Sequence, residues 1–317
     1  MPCERGAAYR RDIRDVRRWP TGVLMPPRHL AIVALVGVMI IWGSTFVVTK
    51  ASIEALPPMT LAFVRVLIGT CVLVPFAAPR LRRGEPLPWR RLFALGVVGV
   101  AVYYVAFNGS LALTTAAQGA LVQSSIPAVT ACIAMILLRE RAGRGRLFGI
   151  ALSVAGVLVV FAGDSRGDSG SATLLGQLLM FGSVVCWGLY TAMAKRVAHC
   201  DAIVVTTCIT GIGTLLLLPI AVVELASQPL PNPDFDAWLG AAYLGVFASG
   251  LGYLLYNFAL RHLAASTVGV YTNLIPIVGV LTGVVALHEP LSWQAIVGGT
   301  IVMVGVAITT FAKSDDG

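Results

Sequence analysis

Arg65 is the first residue in this chain from which chemistry would be expected. It stands about eight residues into the run Pro57 to Ala78, which is otherwise uncharged. A guanidinium in such surroundings suits bidentate recognition of a carboxylate. The structural alternative is a cation satisfied by carbonyls and polar side chains. Two aromatic pairs come next. Trp42 with Thr45, and Trp187 with Tyr190, are each three residues apart and share a helix face. Together they could wall a cavity for amphipathic amino acids or flat cations, although core packing is the commoner use of such residues. Pro127 and Pro276 each remove the hydrogen bond to the carbonyl four residues earlier. That frees the carbonyls of Gln123 and of Thr272, with Tyr271 adjacent. The substrate-binding set read from the sequence is therefore Trp42, Thr45, Arg65, Gln123, Trp187, Tyr190, Tyr271 and Thr272. Tyr104 with Asn108, Tyr253 with Asn257, and the carboxylates Glu140 and Glu289 are assigned to gating or packing, with capping or a salt bridge to arginine for Glu140.

The elements that hold these residues follow from composition. Of the 317 residues, 57% are hydrophobic and 12% charged, with mean hydropathy +0.84. Soluble domains carry about 25% charged residues, and disordered chains are poor in apolar ones. The chain is read as an all-α integral membrane protein. Uncharged runs give Leu30 to Thr49, Pro57 to Ala78, Leu92 to Leu138, Leu147 to Gly163, Thr173 to Ala194, Ala202 to Val223, Ala237 to Leu260, Leu263 to Leu287 and Trp293 to Ala312. The third is 47 residues long and holds two spans, since one needs roughly 20 residues. Its turn is expected near Thr114 to Gln118, and the total is ten transmembrane helices. Runs of this length lack the alternation of a membrane barrel strand.

Twenty of the 23 Lys and Arg lie in the tails and in alternate connections. The positive-inside rule assigns those segments and both termini to the cytoplasm. The net charge of +8 is then a property of loops and does not point to nucleic acid. Residues 1–28 are read as a basic cytoplasmic tail before an uncleaved first span, with Met25-Pro26-Pro27-Arg28 as a second compact start. Residues 313–317 form the other tail. The six cysteines show no CxxC pair, and neither metal nor cofactor is expected.

The chain also repeats itself. Trp42, Gly43 and Lys50 recur as Trp187, Gly188 and Lys195 at an offset of 145. From the third helix the offset is 149, carrying Leu95-Gly96-Val97 to Leu244-Gly245-Val246, Tyr104 to Tyr253, Asn108 to Asn257, Pro127 to Pro276, Glu140 to Glu289, Gly149 to Gly298 and Gly156 to Gly305. The two copies are placed at residues 29–163 and 171–312. Five helices per copy force the second to enter the membrane upside down, the plan of many secondary transporters. Two oppositely oriented copies supply two nearly equivalent shapes, one open to each side, which is what alternating access requires. Pro127 and Pro276 fall roughly 18 Å into their helices at 1.5 Å per residue, near mid-depth. Broken backbone there is tolerated only against protein or a water-filled cavity.

At these residues the chain resembles a bacterial member of the drug/metabolite transporter superfamily with two EamA domains, a ten-helix exporter. The motifs are Trp42-Gly43-Ser44-Thr45-Phe46 with its echo Trp187-Gly188-Leu189-Tyr190, and the stretches Pro127 to Glu140 and Pro276 to Glu289. The resemblance spans roughly residues 30–312 and implies export of amino acids, their analogues, drugs or other metabolites across the bacterial inner membrane. A multidrug exporter is the alternative within that class. A membrane-embedded enzyme is the rival outside it, and neither HExxH, a paired mid-membrane Asp nor DxD is present. No P-loop occurs, and every acid and histidine sits at a span end or in a loop. A facilitator and a proton exchanger using an edge carboxylate are both compatible with that placement, as are a monomer and a homodimer.

Overall fold

The fold is taken from a computed structural model that describes residues 27–82, 86–138, 143–164, 170–227, 232–263, 268, 271–289 and 291–311. Glu140, most of the basic N-terminal tail and the C-terminal tail lie outside these residues. All regular elements among the described residues are helical. The first repeat comprises α1 (Pro27–Ser52), α2 (Pro58–Leu81), α3 (Trp89–Leu113), α4 in two pieces (α4a, Ala116–Gln123; α4b, Ile126–Leu138) and α5 (Arg144–Asp164). The second comprises α6 (Gly170–Ala194), α7 (Ala202–Ala226), α8 (Phe235–His262), α9 (Leu274–Ala286) and α10 (Trp293–Phe311). Seven of these are long and apolar enough to cross a bilayer alone, and α9 and α10 are shorter apolar helices. This is an all-α membrane protein, with α4 crossing as two stacked pieces.

The polarity of the molecule is that of a protein solvated by lipid. Phe76, Leu158, Val223, Leu281 and Val285 face outward, whereas Arg65, Asn108, Gln123, Gln177, Thr206 and Ser249 are buried. The 47-residue uncharged run turns at Thr114 and Thr115. There the Thr115 hydroxyl accepts from Gln118 N–H at 3.2 Å and the Gln118 side chain accepts from Thr115 N–H at 3.4 Å. This reciprocal capping box starts a helix without any charge.

The repeats pack across each other rather than side by side. α5 lies along α10, α2 along α7, and α1 against α9. The α5–α10 contact is backbone on backbone. A Cβ placed on Gly149 would sit 2.7 Å from the Gly305 carbonyl oxygen, and one on Gly156 would sit 2.7 Å from that of Gly298. As numbers rise along α5 they fall along α10, so the two helices are antiparallel. The four glycines are related by the 149-residue offset, so exchanging the copies maps the contact onto itself. Their equivalence and their opposite direction together make the duplication an inverted one.

Two segments depart from α-geometry at matching places. Val97–Val102 in α3 and Leu244–Gly252 in α8 are wound as π-helix. Such turns are wider than α-helix and leave carbonyls without their usual partners. Each is met by a glycine of the other repeat: a Cβ on Gly213 of α7 would strike Val100, and one on Gly69 of α2 would lie 2.9 Å from Gly245 O and Gly250 N.

Candidate functional site

A cavity lies between the repeats, walled by residues of both. Its walls are Trp42 and Thr45 of α1, Arg65 of α2, Tyr103, Tyr104 and Phe107 of α3, Gln123 and Ile126 at the α4 break, Trp187 of α6, Tyr253 of α8 and Ile275 of α9. The free volume within these walls is about 30 Å³, room for a water or two, so a metabolite enters only when the walls part.

Local sequence explains how each wall is placed. Trp42 and Trp187, the matched tryptophans, meet edge to face with centroids 5.0 Å apart. Both are followed by glycines that admit a neighbour. A Cβ on Gly43 would lie 2.9 Å from the Ile275 carbonyl oxygen, and one on Gly188 2.8 Å from Ile133. The Trp-Gly pair therefore puts an indole on the inner face and lets the next helix close beside it. Carbonyls of the π-wound segments accept from the aromatic side chains. Trp42 Nε1 donates to Ala248 O at 3.1 Å, and Tyr253 OH donates to Gly99 O at 2.8 Å. Gly99 and Ala248 are 149 residues apart, so the same carbonyl is used in both copies, by a different ring each time.

Arg65 is 2% exposed. Its Nε donates to Ser249 Oγ at 3.3 Å and its Nη1 to Thr49 Oγ1 at 3.2 Å. The guanidinium carbon lies 4.6 Å from the centre of the Tyr104 ring, within cation–π range. Tyr104 is held in turn by a 3.2 Å hydrogen bond between its hydroxyl and Ser249 Oγ. A guanidinium carries five N–H donors. Two have partners among the described residues, and the side chain borders the cavity. In α2 and α7 the copies are offset by 144, as Gly69 and Gly213, Thr70 and Thr214, and Pro75 and Pro219 show, and the position matching Arg65 is Ile209, so the charge belongs to one repeat only.

Other predicted residues fall in different surroundings. Gln123 reaches the cavity and donates from Nε2 to Tyr103 OH at 3.1 Å. The helix breaks just after it, at Ser124 and Ser125, whose hydroxyls bond back to Leu121 O and Val122 O. Pro127 follows in the first turn of α4b, leaving Gln123 O without an intrahelical donor. Tyr190 does not line the cavity. It is buried behind Trp187, donating to Asn257 Oδ1 at 3.2 Å, while Asn257 Nδ2 donates to Thr206 at 3.0 Å. Spacing of three put Tyr190 on the face of Trp187, but α6 turns that edge toward α8. Tyr271 and Thr272 pack at the start of α9 and also stay off the cavity wall. Asn108 pins the beginning of α2, donating to Pro58 O at 2.9 Å. Tyr104 and Tyr253, assigned from the sequence to gating or packing, are cavity walls instead.

Tyr103 and Phe107 were missed. Their rings stack at 14°, and Tyr103 abuts Trp187 at 5.4 Å. A search for repeated residues passes over Tyr103 because its counterpart is Gly252. A Cβ on Gly252 would lie 2.6 Å from Trp42 Nε1, so the indole occupies the room that the missing side chain leaves. Gly252→Ala is expected to push that indole into the cavity, break its bond to Ala248 O and cost about 1–3 kcal/mol of overpacking. A shifted tryptophan emission with a lowered melting temperature would register it, and unchanged emission would count against this packing.

Away from the cavity, carboxylates close helix ends across the repeat boundary. α9 ends at His288, whose φ of 53° turns the chain so that Glu289 N–H reaches Gly283 O at 3.3 Å. The Glu289 carboxylate then accepts from Ala116 N–H and Ala117 N–H, both at 2.8 Å. It caps α4a, where a negative charge also meets the helix dipole favourably. On the other side of the same turn, Lys50 Nζ donates to Leu111 O and Thr114 O, both at 2.8 Å. Glu224 of α7 caps α2 in like manner through Met59 N–H and Thr60 N–H at 3.1 and 2.7 Å.

The sequence pattern of the EamA-like transporter family matches residues 29–162 and again 174–311. The chain belongs to this family. It is a multi-pass membrane transporter of the EamA type, not an enzyme. It is 28% identical over 298 residues to a Bacillus subtilis protein named as uncharacterized transporter YetK, covering 92% of this chain and 90% of that one. Over 283 residues it is 25% identical to a Salmonella typhimurium protein named "Probable amino-acid metabolite efflux pump", with 86% and 92% covered. A solved crystal structure shares the EamA fold with it at a TM-score of 0.63 and 21% identity, covering 88% of this chain and 96% of that one.

Proposed function

We propose that this EamA transporter exports a small carboxylate-bearing metabolite, such as an amino acid or an amino-acid analogue, by alternating access, with the central cavity as the substrate site. The observation that carries the reading is Arg65: a buried cation bordering an aromatic-walled cavity between inverted repeats, with donors left over. Trp42, Thr45, Gln123 and Trp187 complete the site, and the α4 break offers the Gln123 carbonyl beside it. Tyr190, Tyr271 and Thr272 serve from behind the wall. Export, as opposed to import, takes support from the name of the Salmonella relative. Arg80, Arg82, Arg90, Arg91, Lys195 and Arg196 gather at the ends of α2, α3 and α6, which supports setting that face and both termini in the cytoplasm. The bacterial inner membrane is the natural setting.

The aromatic walls favour a second reading, efflux of lipophilic drugs. Growth protection by overexpression against a panel of amino acids, analogues and dyes separates the two.

Alternating access is tested with single cysteines at positions 123, 126 and 275 in a protein stripped of its six native cysteines. Each is expected to react with a membrane-impermeant thiol reagent, and some from each side of the bilayer. If none were reachable from either side, the transporter mechanism proposed here would fail.

A further inference from the structure

Arg65 brings one positive charge to the cavity, and among the described wall residues none brings a negative one. Among the wall residues it is the only ionised group. The 15 acidic residues of the chain all fall at helix ends, in connections or in the tails. Of the described ones, Glu289 is engaged on α4a, Asp201 on Arg80 and on the start of α7, Glu224 on the start of α2 and Asp234 on the start of α8, while Glu54 and Asp236 are exposed at the ends of α1 and α8. Glu224 makes its contact at Thr60, five residues and about 7.5 Å of helix rise from Arg65, and that oxygen already accepts from both the Thr60 N–H and its hydroxyl. An arginine cannot shed its proton to escape the cost of burial. Hydroxyls and a ring face solvate it in part and leave its charge uncompensated.

We infer that the carried molecule is a monoanion: a carboxylate on an apolar or aromatic body, with no free ammonium group. This narrows the carboxylates proposed above to the analogues: an N-acylated amino acid or a simple aromatic carboxylate fits, whereas a free amino acid does not. The inference rests on the cavity being the substrate site. A carboxylate placed on the unused guanidinium donors neutralises the site and satisfies them together. The ammonium of a free amino acid stands one carbon away from that carboxylate. It would be drawn close to the guanidinium, where the acceptors at hand, the Gln123 carbonyl among them, are neutral and do not offset the repulsion. Ring faces attract cations, but the Tyr104 face is already taken by Arg65. The stacked Tyr103 and Phe107 rings, with Trp187 beside them, offer offset contact to a flat apolar body.

The test compares three probes on one skeleton by calorimetry with the purified full-length protein at pH 7. They are N-acetyl-L-phenylalanine as anion, L-phenylalanine as zwitterion and 2-phenylethylamine, which keeps the amine and lacks the carboxylate, as cation. The anion is expected to bind at least about tenfold more tightly than the zwitterion, the worth of one hydrogen bond to a charged group, with the cation weakest. Arg65→Gln flattens the series, and Arg65→Lys keeps its order. Wild-type protein that takes the zwitterion or the cation as well as the anion overturns the inference, whether or not the variants fold. So does failure of all three to bind. The transporter reading is judged separately, by the cysteine labelling.

Discussion

Leucine in place of Gly298 is expected to leave little folded protein. At this position a Cβ alone would lie 2.8 Å from the Gly156 carbonyl oxygen and 2.8 Å from Val160 N. Overpacking a core costs about 1–3 kcal/mol where side chains can move aside. Here the neighbours are backbone, so the remedy is to part α5 from α10 along the whole seam. Gly156→Leu meets the same obstacle from the opposite side, with Val302 N at 2.6 Å. Gly37→Ala and Gly182→Ala are the controls, because nothing lies within 4 Å of either added carbon. Those two are expected to be neutral or to gain up to about 1 kcal/mol from helix propensity. Detergent melting curves and elution profiles of the four variants decide the matter. A Gly298→Leu protein that melts with the parent would mean that α5 and α10 are not packed through these glycines.

Glu289→Ala carries the second large effect. Its carboxylate satisfies two N–H groups at the start of α4a, each in a charge-assisted bond of about 1.5–3 kcal/mol. Alanine leaves both donors without a partner beneath Gly283, and it removes the charge near Lys50. A drop in melting temperature of several degrees is expected. Glu289→Gln, which keeps one accepting oxygen, falls between the alanine variant and the parent. Lys50→Met frees the carbonyls of Leu111 and Thr114 on the other side of the turn. The pair is therefore expected to be non-additive, with a coupling above about 0.5 kcal/mol for residues sharing one junction. If both Glu289 variants melt with the parent, the cap contributes nothing to stability.

What could be read in the residues was whatever composition and repetition govern. Uncharged runs mark the helices because lipid excludes charge. The offset of 145 marks Trp42 and Trp187, which touch, and the offset of 149 marks the glycines that bring α5 and α10 together. The π-wound segments had no such mark. Val97–Val102 reads as six small or apolar residues, equally fit for an ordinary α-turn, and the neighbour that meets it at Val100, Gly213, comes from the other repeat. Tyr103 was passed over because the other copy has glycine there, and Arg65 was noticed only because it is charged. Tyr190 shows the limit of helical spacing. Three residues from Trp187 fix a face to within a wide arc, and packing of α6 on α3, where Gly99 makes room for the Tyr190 ring, decides which part of that arc meets the cavity.

The Arg65 site also bears on how the transporter is powered. Among the described residues of the cavity wall, the fixed cation has no carboxylate beside it, so on the monoanion reading proposed above the membrane voltage is one source of power. For a monoanion, each turnover carries one charge through the membrane field. That field is worth about 2.3 kcal/mol per charge at 100 mV, roughly a fiftyfold ratio across the membrane. With the interior of the cell negative, the voltage itself drives such a molecule outward.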